Sequence, residues 1–157
     1  MTRTDPSLHL DKTAIRALIP HAGAMCLLDA VQAWDAGRIE CLAYSHRAAD
    51  NPLRRAGALP VQAGIEYAAQ AMALHGALTG APGAAPRRGY LAALHDVRWH
   101  AGYLDEDSAP LRVCAQKQAA GGAGASYRFA VSAGARALIT GTAVIAFDTG
   151  GTDAGPV

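Results

Sequence analysis

Hydrophobic and polar residues follow helical spacing in two parts of the chain and form alternating or short apolar runs in six others. The first helical part is Asp11–Ile19, which Asp11 can cap and Pro20 ends. The strand-like runs are Met25–Trp34, Arg38–Ser45, Tyr90–Trp99, Leu111–Gln118, Ser126–Ser132 and Leu138–Phe147. Helices and strands are segregated, and hairpin-type turns separate several strands. We therefore expect an α+β domain in which one curled antiparallel sheet wraps around one long central helix.

The long central helix is predicted within Leu59–Gly80, with Pro60 in its first turn. Its side chains are mostly small, so a sheet can approach it on several sides. Glu66 is the carboxylate of this otherwise apolar helix, and a desolvated carboxyl is costly to ionise. It is therefore a candidate proton donor, and Gln70, one turn later, could orient it by a hydrogen bond. The alternative is that Glu66 marks the solvent-facing strip of an ordinary amphipathic helix.

Composition narrows the class of protein. The chain has 157 residues, of which 51% are hydrophobic and 17% charged, and its formal net charge is +1. These values predict one globular domain over residues 11–148, between a flexible N-terminus (1–10) and a disordered tail (149–157). A balanced charge without a basic stripe argues against nucleic-acid binding.

The sequence shows no recognisable targeting segment and no metal-binding motif. No apolar run is long enough to span a bilayer and no signal peptide is recognised, so the predicted location is cytoplasmic. Cys26, Cys41 and Cys114 are scattered and lack metal-ligand spacing. We therefore predict neither disulfide, metal nor cofactor, and expect Cys26 and Cys41 to be buried as small hydrophobic residues.

Four segments carry a resemblance to a known family. They are Ile19–Asp29 with its Pro-His pair, the spaced residues Pro60, Glu66 and Gln70, the strand Leu91–Tyr103 before an acidic turn, and the closing strand Gly141–Phe147. In this order they resemble the hot-dog-fold β-hydroxyacyl-acyl-carrier-protein dehydratases of fatty-acid synthesis. The sequences of Asn51–Arg55 and Gly64–Gly76 are most similar to a divergent dehydratase-like branch found with aryl-polyene and related polyketide-type lipid pathways.

The resemblance implies a catalytic acid but leaves the base open. Glu66 matches the family's helix carboxylate, whereas the family's loop histidine corresponds to Pro52, which cannot ionise. His21 is the preferred substitute, because it stands in a family-like segment just before the first long strand; its alternative role is to hold that turn. His46 is a second candidate base, and His75 is expected in the core or at an interface. A base could also come from a partner subunit.

Further site residues follow from the same resemblance. The backbone amides around Ala63 and Gly64, at the helix start, are expected to polarise the thioester carbonyl. Arg54 and Arg55, together with Arg87-Arg88, are candidate contacts for an acidic acyl carrier protein or its phosphopantetheine phosphate. Ordinary surface charge is the alternative for both arginine pairs.

Three functions remain open from the sequence. The leading prediction is a β-hydroxyacyl-acyl-carrier-protein dehydratase, a lyase acting as a homodimer or with a related hot-dog subunit. A catalytically silent subunit that binds acyl carrier protein or a partner dehydratase is the second. A hot-dog acyl thioesterase is the third.

Overall fold

The computed structural model describes residues 9–19, 23–80 and 89–148. The strands are β1 (Leu10–Asp11), β2 (Ala30–Trp34), β3 (Arg38–Ala43), β4 (Gly89–Trp99), β5 (Leu111–Ala120), β6 (Gly124–Ala133) and β7 (Arg136–Phe147). The helices are α1 (Lys12–Leu18) and α2 (Gly64–Thr79), with short 3₁₀ turns at Gly23–Met25, Ser45–Arg47 and Val61–Ala63. His21, the Arg87-Arg88 pair and the predicted tail lie outside the described residues.

The seven strands form one antiparallel sheet in the order β1-β2-β3-β5-β6-β7-β4. Helix α2 packs against β3, β5 and β6 on one face of this sheet. The predicted arrangement of one sheet around one helix is therefore confirmed. The sequence did not predict strand β1, in which Leu10 and Asp11 pair with Val31 and Ala30 of β2.

Helix α2 is buried on most of its sides, as its small side chains predicted. Its buried residues are Gly64, Tyr67, Ala68, Gln70, Ala71, Met72, Leu74 and His75. Gly64 lies so close to β7 that an added Cβ would stand 2.6 Å from the Ile139 side chain. The absence of a side chain at Gly64 therefore lets the first turn of α2 contact the sheet.

Local signals at two turns are confirmed. Asp11 Oδ1 accepts a hydrogen bond from the Ala14 amide and caps α1. Asp35 Oδ1 accepts from the amides of Gly37 and Arg38, which closes the β2–β3 hairpin.

The predicted strand Met25–Trp34 begins only at Ala30. In the preceding stretch, here called segment 23–29, side chains satisfy much of the backbone. Lys12 Nζ donates to the carbonyls of Cys26 and Leu28, and Gln70 binds Met25 and Leu27. Because these groups already have partners, the segment does not need a neighbouring strand to satisfy them.

Cys26 and Cys41 are buried, as predicted, and burial raises the pKa of the Cys41 thiol. None of the helices in the described part of the chain is long and apolar enough to cross a membrane.

Candidate active site

Glu66 lies in the first turn of α2 and is half-buried. The 3₁₀ turn Val61–Ala63 precedes this helix and sets the direction from which it enters the domain. Gln70, one turn after Glu66, is fully buried. The strip that carries both residues therefore faces protein at Gln70, whereas Ala73, one turn further along the strip, is exposed.

The Gln70 amide binds the backbone of segment 23–29. Its Oε1 accepts from the Leu27 N–H at 3.0 Å, and its Nε2 donates to the Met25 carbonyl at 2.6 Å. We expected this amide to orient Glu66, but both of its polar atoms serve the backbone instead. Gln70 thereby holds the stretch that follows His21 against α2, one turn from Glu66.

An ion pair between Lys12 and Asp29 adds further contacts that hold segment 23–29 in place. Lys12 Nζ lies 3.0 Å from Asp29 Oδ1 and also binds carbonyls of the segment. Asp29 Oδ2 accepts from the Tyr44 amide at 2.6 Å. Side chains from α1 and α2, together with the backbone after β3, therefore hold the position of the segment.

A hydrogen-bond network joins the loop after β3 to the same segment. Tyr67, which follows Glu66 in the sequence, is buried, and its hydroxyl lies 2.7 Å from Ser45 Oγ. Ser45 Oγ donates to the Leu27 carbonyl at 2.7 Å, and Asn51 Nδ2 donates to the Tyr67 hydroxyl at 3.1 Å. Because Ser45 Oγ gives its proton to Leu27, the Tyr67 hydroxyl acts as the donor to Ser45. Burial raises the pKa of Tyr67.

Arg54 has a structural role that the sequence did not reveal. Its guanidinium donates to the carbonyls of Ala48, Gly57 and His46 and forms an ion pair with Asp105 at 3.0 Å. A guanidinium with these four partners holds the loop, so its predicted contact with a carrier protein is not supported by its position. Arg55 is exposed, in contrast, although it donates to the Arg54 carbonyl.

The amides predicted to polarise the substrate carbonyl have acceptors within the chain. The Ala63 N–H donates to the Pro60 carbonyl at 3.0 Å, and the Gly64 N–H turns back to Val61 and Gln62. Any stabilisation of a substrate oxygen here would come from the positive end of the α2 dipole. The direct contact with Ala63 and Gly64 stays a prediction.

The two buried histidines have distinct surroundings. His46 is fully buried, with Nε2 3.0 Å from the Ala109 carbonyl, and burial lowers its pKa. His75 is a core residue, as one of its predicted roles stated: its Nε2 lies 2.7 Å from the Asp35 carbonyl and its Nδ1 2.8 Å from the Tyr127 hydroxyl. Burial lowers the pKa of His75 and raises that of Tyr127 to about 12. Neither ring is exposed to a substrate.

The start of α2 adjoins an exposed aromatic surface. Tyr103 pairs with Pro60, and the Val61 amide donates to the Gly102 carbonyl. Tyr103 and Trp99 are both about half exposed, at 47% and 57%. The half-exposed Tyr103 therefore lies next to the turn that precedes α2. Pro52, at the position of the family histidine, is exposed and cannot ionise.

Three solved structures show which fold this is. A chain of the dehydratase heterocomplex ApeI:P from Xenorhabdus doucetiae matches with a TM-score of 0.76 at 20% identity, over 87% of this chain and 91% of that one. A mutant of thioesterase PA1618 from Pseudomonas aeruginosa matches with a TM-score of 0.63 at 13% identity, over 93% and 96% of the two chains. AziG from S. sahachiroi matches with a TM-score of 0.61 at 14% identity, over 83% and 97%. The hot-dog fold is thereby confirmed.

Sequence comparison is more specific. No curated protein matches this sequence. The family model of the ApeP-like proteins, described as ApeP dehydratase, matches residues 13–148 and so covers nearly all of the predicted domain. This match agrees with the resemblance to hot-dog dehydratases that was based in part on the spacing of Pro60, Glu66 and Gln70. The chain therefore belongs to the ApeP-like family of dehydratases.

Proposed function

We propose that this dehydratase removes water from a β-hydroxyacyl thioester on an acyl carrier protein, in aryl-polyene or related fatty-acid-type synthesis in the cytoplasm. One observation carries the proposal beyond family membership. Glu66 stands in the first turn of α2, and Gln70 binds the stretch following His21 one turn away. A carboxyl on this helix, and a histidine shortly before the stretch that Gln70 binds, would suit a reaction that moves two protons.

In the proposed reaction, His21 removes the α-proton of the acyl chain and Glu66 protonates the β-hydroxyl. The C–H and C–O bonds break, the α,β double bond forms, and water leaves. The positive end of α2 stabilises the negative charge that develops on the thioester oxygen. Proton exchange with solvent then restores the neutral imidazole and the protonated carboxyl.

Chain geometry supports His21 as the base. Met25 is tied to Gln70, and His21 is four residues before Met25. Four extended residues span at most roughly 14 Å, and one helical turn is about 5.4 Å. A tether of this length is compatible with His21 as the proposed base.

We propose Arg55 as a contact for the carrier protein. Its side chain is exposed in the loop before α2, and its neighbour Arg54 fixes the backbone of that loop from inside. A positive charge held on an ordered loop favours encounter with an acidic protein.

A related hot-dog subunit is the proposed partner at the free edge of β4. This strand has β7 as its neighbour and leaves its other edge unpaired in the described sheet. Tyr90, Leu91, Leu94 and Trp99 of this strand are exposed. A long edge strand with exposed apolar side chains favours pairing with another chain. Support also comes from ApeI:P, which is a heterocomplex.

Product analysis tests the proposed reaction. The purified chain, alone and with a hot-dog partner subunit, is incubated with a β-hydroxyacyl carrier protein. We expect an enoyl product still attached to the carrier. Release of free acid would instead support a thioesterase, whose fold this chain shares.

A silent subunit is the second candidate, and Pro52 at the position of the family histidine favours it. In that case dehydration would require the partner and would be unaffected by changes at Glu66 or His21. Turnover by the chain alone would exclude this candidate.

A further inference from the structure

The face of the sheet turned away from α2 carries a cluster of arginines, here called the basic face. Strand register places Arg38, Gln116 and Arg128 in one row across β3, β5 and β6. The next row runs from Glu40 on β3 to Arg98 on β4. Arg112 lies on the same face of β5, two residues from Cys114 in the second row. These four arginines are exposed.

The positive charge of this face is incompletely balanced. Glu40 serves two of the arginines, with Oε2 3.1 Å from Arg38 and Oε1 3.3 Å from Arg112. Arg98 and Arg128 have no ion-pair partner within residues 9–19, 23–80 and 89–148. Even if Asp96, in the neighbouring β4 bulge, is counted with Glu40, four guanidinium groups oppose two carboxylates.

The size of the basic face suits one helix. Neighbouring strands are about 4.8 Å apart, so Arg38 and Arg128 are separated by roughly 10 Å, and the row from Glu40 to Arg98 spans roughly 19 Å. A shallow depression of about 290 Å³ lies between Arg38 and Arg128. An α-helix is about 10 to 12 Å wide and rises 1.5 Å per residue, so about 13 residues would cover this row.

We propose that the basic face binds an acidic amphipathic helix of another protein. Arginine forms bidentate contacts with carboxylates, and Arg98 and Arg128 are available for them. A second copy of this face would be repelled by its own charge. Anionic membrane is disfavoured, because the large apolar residues at the depression, Ile39 and Phe129, are buried and cannot serve as membrane anchors. The face lies across the sheet from α2, so this contact is separate from the site at Glu66.

Binding of a labelled helical peptide tests this proposal. The peptide has about 14 residues and one stripe of glutamates, and its control carries glutamine at the same positions. We expect fluorescence anisotropy to show binding of the glutamate peptide at low salt, weakened at about 0.3 M salt where charges are screened. The doubly substituted Arg38→Glu/Arg128→Glu chain should bind at least about tenfold more weakly. Arg38→Gln/Arg128→Gln should be intermediate, and Arg16→Glu, on α1, should bind like the original chain.

Several results would overturn the proposal. Equal binding of the glutamate and glutamine peptides would do so, as would equal binding by the original and charge-reversed chains. Binding to phosphatidylglycerol vesicles without binding to the peptide would identify a membrane contact instead. Circular dichroism of each variant verifies that it remains folded.

Discussion

Gln70 and Leu27 are joined by a buried hydrogen bond of 3.0 Å from the Leu27 amide to the Gln70 side-chain oxygen. The same side chain reaches the Met25 carbonyl, so one residue of α2 fixes the path of segment 23–29. Ser45 binds the Leu27 carbonyl, and both backbone groups of Leu27 therefore have side-chain partners. Segment 23–29 is thereby held against α2 one turn from Glu66.

Replacing Gln70 by Leu should destabilise the fold and slow dehydration. The change removes two hydrogen bonds and leaves the buried backbone of segment 23–29 without those partners, which costs about 2 kcal/mol of unfolding free energy. Urea unfolding and turnover are the measurements. Gln62→Leu is the matched control, because Gln62 is exposed. An unchanged free energy of unfolding in Gln70→Leu would contradict the anchoring role.

Arg54 and Arg55 should respond in opposite ways. Arg54→Met removes the ion pair with Asp105 and three contacts to carbonyls, and should lower the unfolding free energy by about 2 kcal/mol. Arg55→Met should leave stability nearly unchanged but weaken carrier-protein binding. Chemical unfolding and a titration with carrier protein separate the two effects. If both variants bind the carrier protein as tightly as the original chain does, this loop is not part of the docking surface.

Stability should fall as the solution becomes mildly acidic. Burial lowers the pKa of His46 and His75 below the usual value of 6.5, so the unfolded chain takes up protons that the folded chain does not. The contribution is complete above about pH 6.5 and is lost as pH decreases below it. Urea midpoints at about pH 7.5 and 5.5 measure this loss. His46→Gln and His75→Gln should reduce the difference, whereas the exposed His95→Gln should retain it; equal differences in all four proteins would refute the assignment.

The β4 edge should control association with a partner subunit. Leu91→Lys and Leu94→Lys place charge among the exposed apolar side chains, and lysine on an edge strand disfavours pairing. Sedimentation velocity, alone and with a hot-dog partner, should show weaker assembly. Ala73→Lys, at an exposed position of α2, is the control. Assembly that survives both leucine changes would place the interface elsewhere.

Local sequence signals predicted much of the fold. Asp35 and Asp11 marked a turn and a cap because their side chains bind nearby backbone groups, which a sequence reveals directly. The two-residue strand β1 was missed, because two residues give no alternation. The start of β2 was placed too early, because partners distant in sequence, Lys12 and Gln70, satisfy segment 23–29.

The site was harder to predict for the same physical reason. Spacing identified Glu66 and Gln70 as neighbours on one helix, but it could not show that the Gln70 amide faces segment 23–29. Arg54 stood in a loop and was expected at the surface, whereas the loop folds around its guanidinium and directs carbonyls at it. Spacing within one helix therefore predicts neighbours, while contacts between elements require the folded chain.

Turnover of the Glu66→Gln variant tests the central claim most directly. The amide keeps the size of the side chain but cannot deliver the proton, so dehydration of a β-hydroxyacyl carrier protein should fall by roughly 10² to 10⁴-fold. Glu40→Gln, on the face of the sheet turned away from α2 and paired with Arg38 and Arg112, should retain full turnover. Turnover in Glu66→Gln equal to that of the original chain would contradict the assignment of Glu66 as the catalytic acid.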